Sequence, residues 1–175
     1  MLLFAHVGLA LASARCFSRV SLAFLALGSM LPDIIDKPLG LIVFGSPNMG
    51  RTFAHTLLFL FFLSVLCLNY RDIRLISLTW GVLIHLSLDF MWNSPQILLW
   101  PLLGPFPDAP LLDTLSYLEM LLSGLKNPAV WIPEITGLAY LIFLGYTNRR
   151  QASVWIDHHL REKADCFLQT LFRDM

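Results

Sequence analysis

The chain has 175 residues, 57% hydrophobic and 14% charged, with a mean hydropathy of +0.67, against roughly 45–50% and about 25% in soluble domains. Twelve Lys and Arg balance twelve Asp and Glu, so no basic stripe is available to neutralise a nucleic-acid backbone, and DNA or RNA binding is not expected. The length suits one domain and the apolar residues gather in long runs, so the expected fold class is all-α: a polytopic membrane bundle of about five helices, the first two short.

In chain order, residues 1–14 form the first apolar stretch. It lacks a basic leading region, and its first charges, Arg15 and Arg19, follow the apolar residues, the reverse of a cleaved signal peptide. It is expected to stay in the mature protein. Residues 20–31 form a second stretch of similar length, so the two read as short tilted helices or as a re-entrant pair. Pro32 is expected to end the second stretch, and Pro38, Gly40, Gly45, Pro47 and Gly50 to make a loop that lasts to Thr52.

Residues 53–69 and 75–92 approach the roughly 20 residues that cross a bilayer. Between Asn93 and Pro128 a turn-rich part, SPQILLWPLLGPFPDAP, precedes LLDTLSYLEMLLSGL, whose apolar spacing predicts an amphipathic interfacial helix. Residues 129–146 are the fifth stretch. The charged tail from Thr147 reads as a short soluble helix, which divides the chain into a membrane domain, 1–146, and a cytoplasmic tail, 147–175. Cys16, Cys67 and Cys166 are odd in number and widely spaced, so neither a disulfide framework nor a zinc ribbon is expected.

Five crossings would put nine basic residues on one side (Arg15, Arg19, Arg71, Arg74, Arg149, Arg150, Arg161, Lys163 and Arg173) and three on the other (Lys37, Arg51 and Lys126). By the positive-inside rule the first side is cytoplasmic, and the N-terminus with the region around Lys37 and Arg51 is extracytoplasmic.

Ionisable groups in or beside membrane helices are costly, and here they converge on that outer side. His6 lies near the start of the first stretch, Asp33 and Asp36 follow the second, His55 opens the third, and His85 with Asp89 lies in the outer part of the fourth. The i, i+4 spacing of His85 and Asp89 sets imidazole and carboxylate on one helix face. Neutral imidazole with carboxylate suits Zn²⁺, and Mn²⁺ or Fe²⁺ also fit. His6, Asp33, His55, His85 and Asp89 are therefore the expected metal residues; Asp33, Asp36 and Arg51 are the catalytic candidates, with Arg51 placed to orient a phosphate or carboxylate. Glu134, His158 and His159 read as interfacial or solvated groups.

The ordered motifs LPDIID (Leu31 to Asp36), RTFAHT (Arg51 to Thr56), GVLIHLSLD (Gly81 to Asp89) and LLWP (Leu98 to Pro101), after His6, resemble the YdjM-like membrane-bound metal-dependent hydrolases. The resemblance covers roughly the first hundred residues and implies metal-site roles for Asp33, His55, His85 and Asp89. Asp36 is offset by one position because Ile35 lengthens the carboxylate pair. Gly50 stands where the family tends to have histidine, and Ala54 where threonine is usual.

The expected activity is metal-dependent hydrolysis of a lipid-borne ester, with a phosphoester as the leading substrate, because a site at the rim of the hydrocarbon layer meets lipid head groups first. Membrane lipids are then the expected partners. A metal or proton transporter and a non-catalytic membrane scaffold with a structural metal site are the alternatives. Transport needs polar groups through the full membrane depth, and the inner halves of the third and fourth stretches hold few beyond Ser64, Ser77 and Thr79.

Overall fold

Uninterrupted apolar sequence closes its backbone hydrogen bonds within helices when water is not at hand to satisfy them. In the computed structural model, which describes residues 3–17, 19–43, 50–107, 114–124 and 127–149, every regular element among the described residues is helical. These are α1 (Leu3–Ser13), α2 (Leu22–Val43), α3 (Leu57–Tyr70), α4 (Ile73–Leu88), α5 (Pro95–Leu98), α6 (Thr114–Gly124) and α7 (Pro128–Arg149). Single 3₁₀ turns lie at Ala14–Cys16, Phe53–His55 and Met91–Asn93. The expected tail helix falls outside the described residues beyond Arg149.

The second helix corrects the sequence reading. Helix α2 continues through Pro32 and Pro38, so residues 32–43 are not loop, and Asp33, Asp36 and Lys37 stand on a helix. A proline removes one backbone donor and crowds the turn before it. Stopping the helix in apolar surroundings would strand several more donors and acceptors, so continuing is the cheaper solution. His55 differs in the opposite sense: it lies in the 3₁₀ turn just ahead of α3, not inside the helix. The Thr56 hydroxyl then caps α3 by accepting the Phe59 amide at 3.1 Å.

A two-residue link joins α3 to α4. Arg71 takes a left-handed conformation (φ 49°) that closes the end of α3, and the Asp72 carboxylate caps α4 by accepting the Arg74 amide at 2.8 Å. Helix α4 ends at Leu88, earlier than the apolar run suggests. Asp89 is its C-cap and Phe90 reverses the chain with φ 51°.

Helices α2 and α4 run in the same direction, with the Ser21 amide donating to the Ser77 hydroxyl at one end and the His85 ring reaching the Ser29 carbonyl at the other. Glycines permit this closeness: a Cβ on Gly28 would overlap the Leu78 backbone, and one on Gly81 the backbones of Leu25 and Ser29. Small residues bring membrane helices together in this way. Helix α1 packs on α7 through Gly8 and Gly137, again backbone against backbone. The Glu134 carboxylate accepts the Phe4 and Ala5 amides at 3.0 and 2.9 Å and so caps the start of α1 from another helix.

Val82, Leu86 and Met91 centre the core, with Leu31, Phe59, Leu63 and Leu78 packed around them. Helix α3, although apolar on all sides, has no fully buried residue, and Phe61, Phe62, Leu66 and Leu68 face outward. Apolar surface of this extent marks a face that meets another apolar phase. Among the described residues one helix, α7, is long and apolar enough to cross a membrane; Leu3–Cys16, Leu57–Tyr70 and Ile73–Leu88 are apolar but shorter. The chain divides into two units, Met1–Tyr140 and Leu141–Met175, and the packing above belongs to the first.

Gly81→Ala should push α2 and α4 apart and destabilise the protein by about 1–3 kcal/mol. Gly145→Ala, where a Cβ meets nothing within 4 Å, should leave stability unchanged or slightly raised. Thermal melts in detergent followed by far-ultraviolet circular dichroism check both, and equal midpoints for the two variants would refute the close-contact account.

Candidate metal centre

Five of the expected residues meet at one end of the helices. Helix α1 carries His6, α2 carries Asp33, the 3₁₀ turn carries His55, α4 carries His85, and the C-cap of α4 supplies Asp89. They form two overlapping groups, His6–His85–Asp89 and Asp33–His55–His85, in each of which one ligand atom per residue lies within 4.8 Å of the others. His85 belongs to both.

The hydrogen bonds around the two inner histidines define which nitrogen is free. His85 Nδ1 lies 2.7 Å from the Ser29 carbonyl, an oxygen that can only accept, so Nδ1 carries the proton. His55 Nδ1 lies 2.7 Å from Oδ2 of Asp36. That carboxylate also accepts the backbone amides of Thr52, Ala54 and His55 at 2.6, 3.0 and 3.2 Å, so its oxygens act as acceptors and Nδ1 of His55 is a donor too. In the neutral rings both Nε2 atoms are therefore lone pairs, and they face each other at 3.2 Å. Two buried lone pairs at that distance need a proton or a cation between them. Ligand atoms on a tetrahedral zinc ion are about 3.3 Å apart for bond lengths near 2.05 Å, so the spacing fits a shared ion.

The carboxylates complete the set. Asp33 Oδ1 lies 3.8 Å and Asp89 Oδ2 3.9 Å from His55 Nε2, while Asp89 Oδ1 lies 3.1 Å from His6 Nε2. Each carboxylate is braced by a cation: Lys37 holds Asp33 Oδ2 at 2.8 Å, and Arg51 holds Asp89 Oδ2 at 2.9 Å. The His6 ring stacks on His85 with centroids 4.2 Å apart. His55 and His85 are fully buried, whereas the Arg51 side chain is 43% exposed and can reach outward from the pair it makes.

Asp36, expected as a catalytic group, bonds the His55 ring and three backbone amides. It is fully buried and sits behind His55, where it sets the ring's tautomer and direction, as outer carboxylates do at histidine metal sites. Sequence reasoning also missed the Ser29 carbonyl and the Thr52 amide, because backbone groups leave no residue signature. It missed the Asp33–Lys37 pair as well; that i, i+4 spacing is legible only if a helix is read through Pro32. Ala54, at the position where threonine is usual in the resembling family, contributes through its amide alone.

A family model described as YdjM inner membrane protein matches residues 1–155. No curated protein and no solved structure matches the chain.

Replacing Asp36 with Asn should weaken divalent-metal binding by roughly 10- to 100-fold, the usual cost of an outer partner, because His55 loses the acceptor that fixes its tautomer. Equilibrium dialysis with Zn²⁺ and with Mn²⁺, on protein whose helicity matches the parent, provides the measurement. Unchanged affinity would remove Asp36 from the positioning role.

Proposed function

The chain belongs to the YdjM inner membrane protein family, and on that premise we propose that it is a membrane-embedded, metal-dependent hydrolase acting on a lipid-borne ester, with a phosphoester as the leading substrate. The observation that carries this reading is the pair of His55 and His85 Nε2 lone pairs, 3.2 Å apart, flanked by the carboxylates of Asp33 and Asp89. Histidine with carboxylate favours Zn²⁺ among divalent ions, with Mn²⁺ and Fe²⁺ also accepted. When bound, such an ion supplies Lewis-acid activation of water and of the substrate oxygen.

The chain's own residues do the rest. Asp36 and the Ser29 carbonyl hold the two neutral imidazoles in the tautomer protonated at Nδ1 and aim Nε2 of each inward. A cavity of about 410 Å³ opens beside the cluster, lined by His6, Asp33 and Lys37 together with Leu3, Met30, Ile34 and Pro38. Charge at one wall and hydrocarbon at the other suit an amphipathic molecule whose polar head reaches the cluster. Lys37 and Arg51 bring positive charge to a phosphoester head, and the Arg51 fork can bind two phosphate oxygens once it turns from Asp89.

The topology that goes with this reading has α1, α2, α3, α4 and α7 crossing the membrane, with the cluster extracytoplasmic and the C-terminus cytoplasmic. Its support is the charge distribution. Arg15, Arg19, Arg71 and Arg74 lie at the ends of the helices remote from His6, His85 and Asp89, as the positive-inside rule asks. Hydrolysis is favoured over transport because Ser64, Ser77 and Thr79, the polar groups further along α3 and α4, each donate to a carbonyl of their own helix. Among the described residues these hydroxyls form no continuous chain of polar groups along α3 and α4.

Elemental mass spectrometry of detergent-purified protein is the first test. The parent should hold a stoichiometric divalent ion, which His85→Ala and Asp89→Ala lose. Hydrolysis of lipid phosphoesters should fall in both variants by more than the roughly 100-fold that an outer-partner loss can cause. Full occupancy in His85→Ala would overturn the ligand assignment. Uptake of the ion into proteoliposomes, without hydrolysis of any lipid ester, would replace the hydrolase with a transporter.

A further inference from the structure

A second cavity, of about 400 Å³, lies along α3 and α4 towards the ends remote from the metal cluster and shares no lining residue with the cavity beside that cluster. Leu60, Ser64 and Leu68 form one wall, Ile76, Trp80 and Leu83 the other, and Phe17 and Arg19 stand at its edge. The wall hydroxyls are consumed internally: Ser64 donates to the Leu60 carbonyl at 2.8 Å, Ser77 to Ile73 at 2.7 Å and Thr79 to Leu75 at 2.9 Å. Cys67 and Thr79 close on each other at 3.0 Å. What the groove offers an occupant is hydrocarbon, aromatic rings and one guanidinium.

Its dimensions and charge define the occupant. From Leu60 to Leu68 the wall runs about 12 Å, close to the roughly 15 Å depth of one leaflet of a bilayer. Arg19 is exposed at the remote end of the helices, and among the described residues no acidic one lines the groove. Arg74 stands at the same end, its guanidinium 5.9 Å from the centre of the Phe24 ring. An apolar chain as long as one leaflet, with a negative group at the basic end, is the ligand that uses both features.

We propose that this groove is a binding site for one anionic phospholipid, an acyl chain lying between α3 and α4 and the phosphate held by Arg19. A zwitterionic lipid of the same chain length fills the hydrocarbon wall equally well but carries no net charge, so the site discriminates by head group. The proposal is independent of the hydrolase reading, because the groove contains none of the metal-site residues.

Native mass spectrometry of the full chain, released from detergent with equimolar phosphatidylglycerol and phosphatidylcholine of identical acyl chains, tests it. One phosphatidylglycerol per chain should be retained, preferred at least five-fold. Arg19→Gln should reduce that preference about five-fold, the effect of one basic residue at a membrane surface, while Arg71→Gln, which lies at the same end but does not line the groove, should leave it unchanged. Ser64→Trp and Leu83→Trp, which block the groove from either wall, should abolish retention of both lipids. Circular dichroism and gel filtration select the blocked variant that keeps the parent fold. Equal retention of the two lipids by the parent overturns the proposal in favour of ordinary boundary lipid. An equal effect of Arg19→Gln and Arg71→Gln overturns it in favour of diffuse attraction to the basic end, and undiminished retention in a folded, blocked variant places the lipid elsewhere.

Discussion

The bond from His55 Nδ1 to the buried Asp36 carboxylate is the interaction on which the site depends. A carboxylate without solvent is tolerable only when its lone pairs are fully engaged, and Asp36 engages them with three backbone amides and the imidazole. The three amides come from the turn that leads into α3, so the same contact that neutralises the cost of burial also shapes that turn and turns His55 Nε2 towards His85. Structure and candidate chemistry have one cause at this point.

Backbone proximity does for His85 what Asp36 does for His55. The glycines at positions 28 and 81 let α2 and α4 approach until the Ser29 carbonyl can accept His85 Nδ1. Larger residues at the crossing would hold that carbonyl out of reach. Likewise, the small residues Gly8 and Gly137 and the Glu134 cap hold the start of α1, and with it His6, against the rest. Helices in an apolar medium gain little from hydrophobic contact with one another, so close van der Waals packing and a few polar bonds must set their positions. The histidine and aspartate cluster sits where several such contacts coincide.

Charge is sorted along the helices. The clustered carboxylates and imidazoles lie at one end, with Lys37 and Arg51 bracing them from the exposed side, while Asp72, the cap of α4, lies at the other. Arg15, Arg19, Arg71 and Arg74 collect at the other, beside an apolar groove. Between the two ends the hydroxyls of Ser64, Ser77 and Thr79 each donate to a carbonyl of their own helix. Under the proposed function and the proposed lipid site, the two ends would meet different ligands, an ester head at one and an anionic lipid at the other.

Composition and run length by themselves determined that the chain is helical and apolar, and the order of short motifs pointed to the family and to His6, Asp33, His55, His85 and Asp89. Those features are local: a residue type, a spacing of four, a run of hydrocarbon. Tertiary structure alone decided that α2 continues past Pro32, because whether a proline ends a helix depends on what surrounds the freed backbone groups. It also decided that Asp36 stands behind His55 instead of in the cluster. Two carboxylates three residues apart look alike in sequence, and only the fold brings backbone amides to one and a lysine to the other. The free nitrogen of each histidine was invisible for the same reason, since the partners that define it, the Ser29 carbonyl and, about two turns further along α2, the Asp36 carboxylate, become neighbours of the rings only when the helices pack.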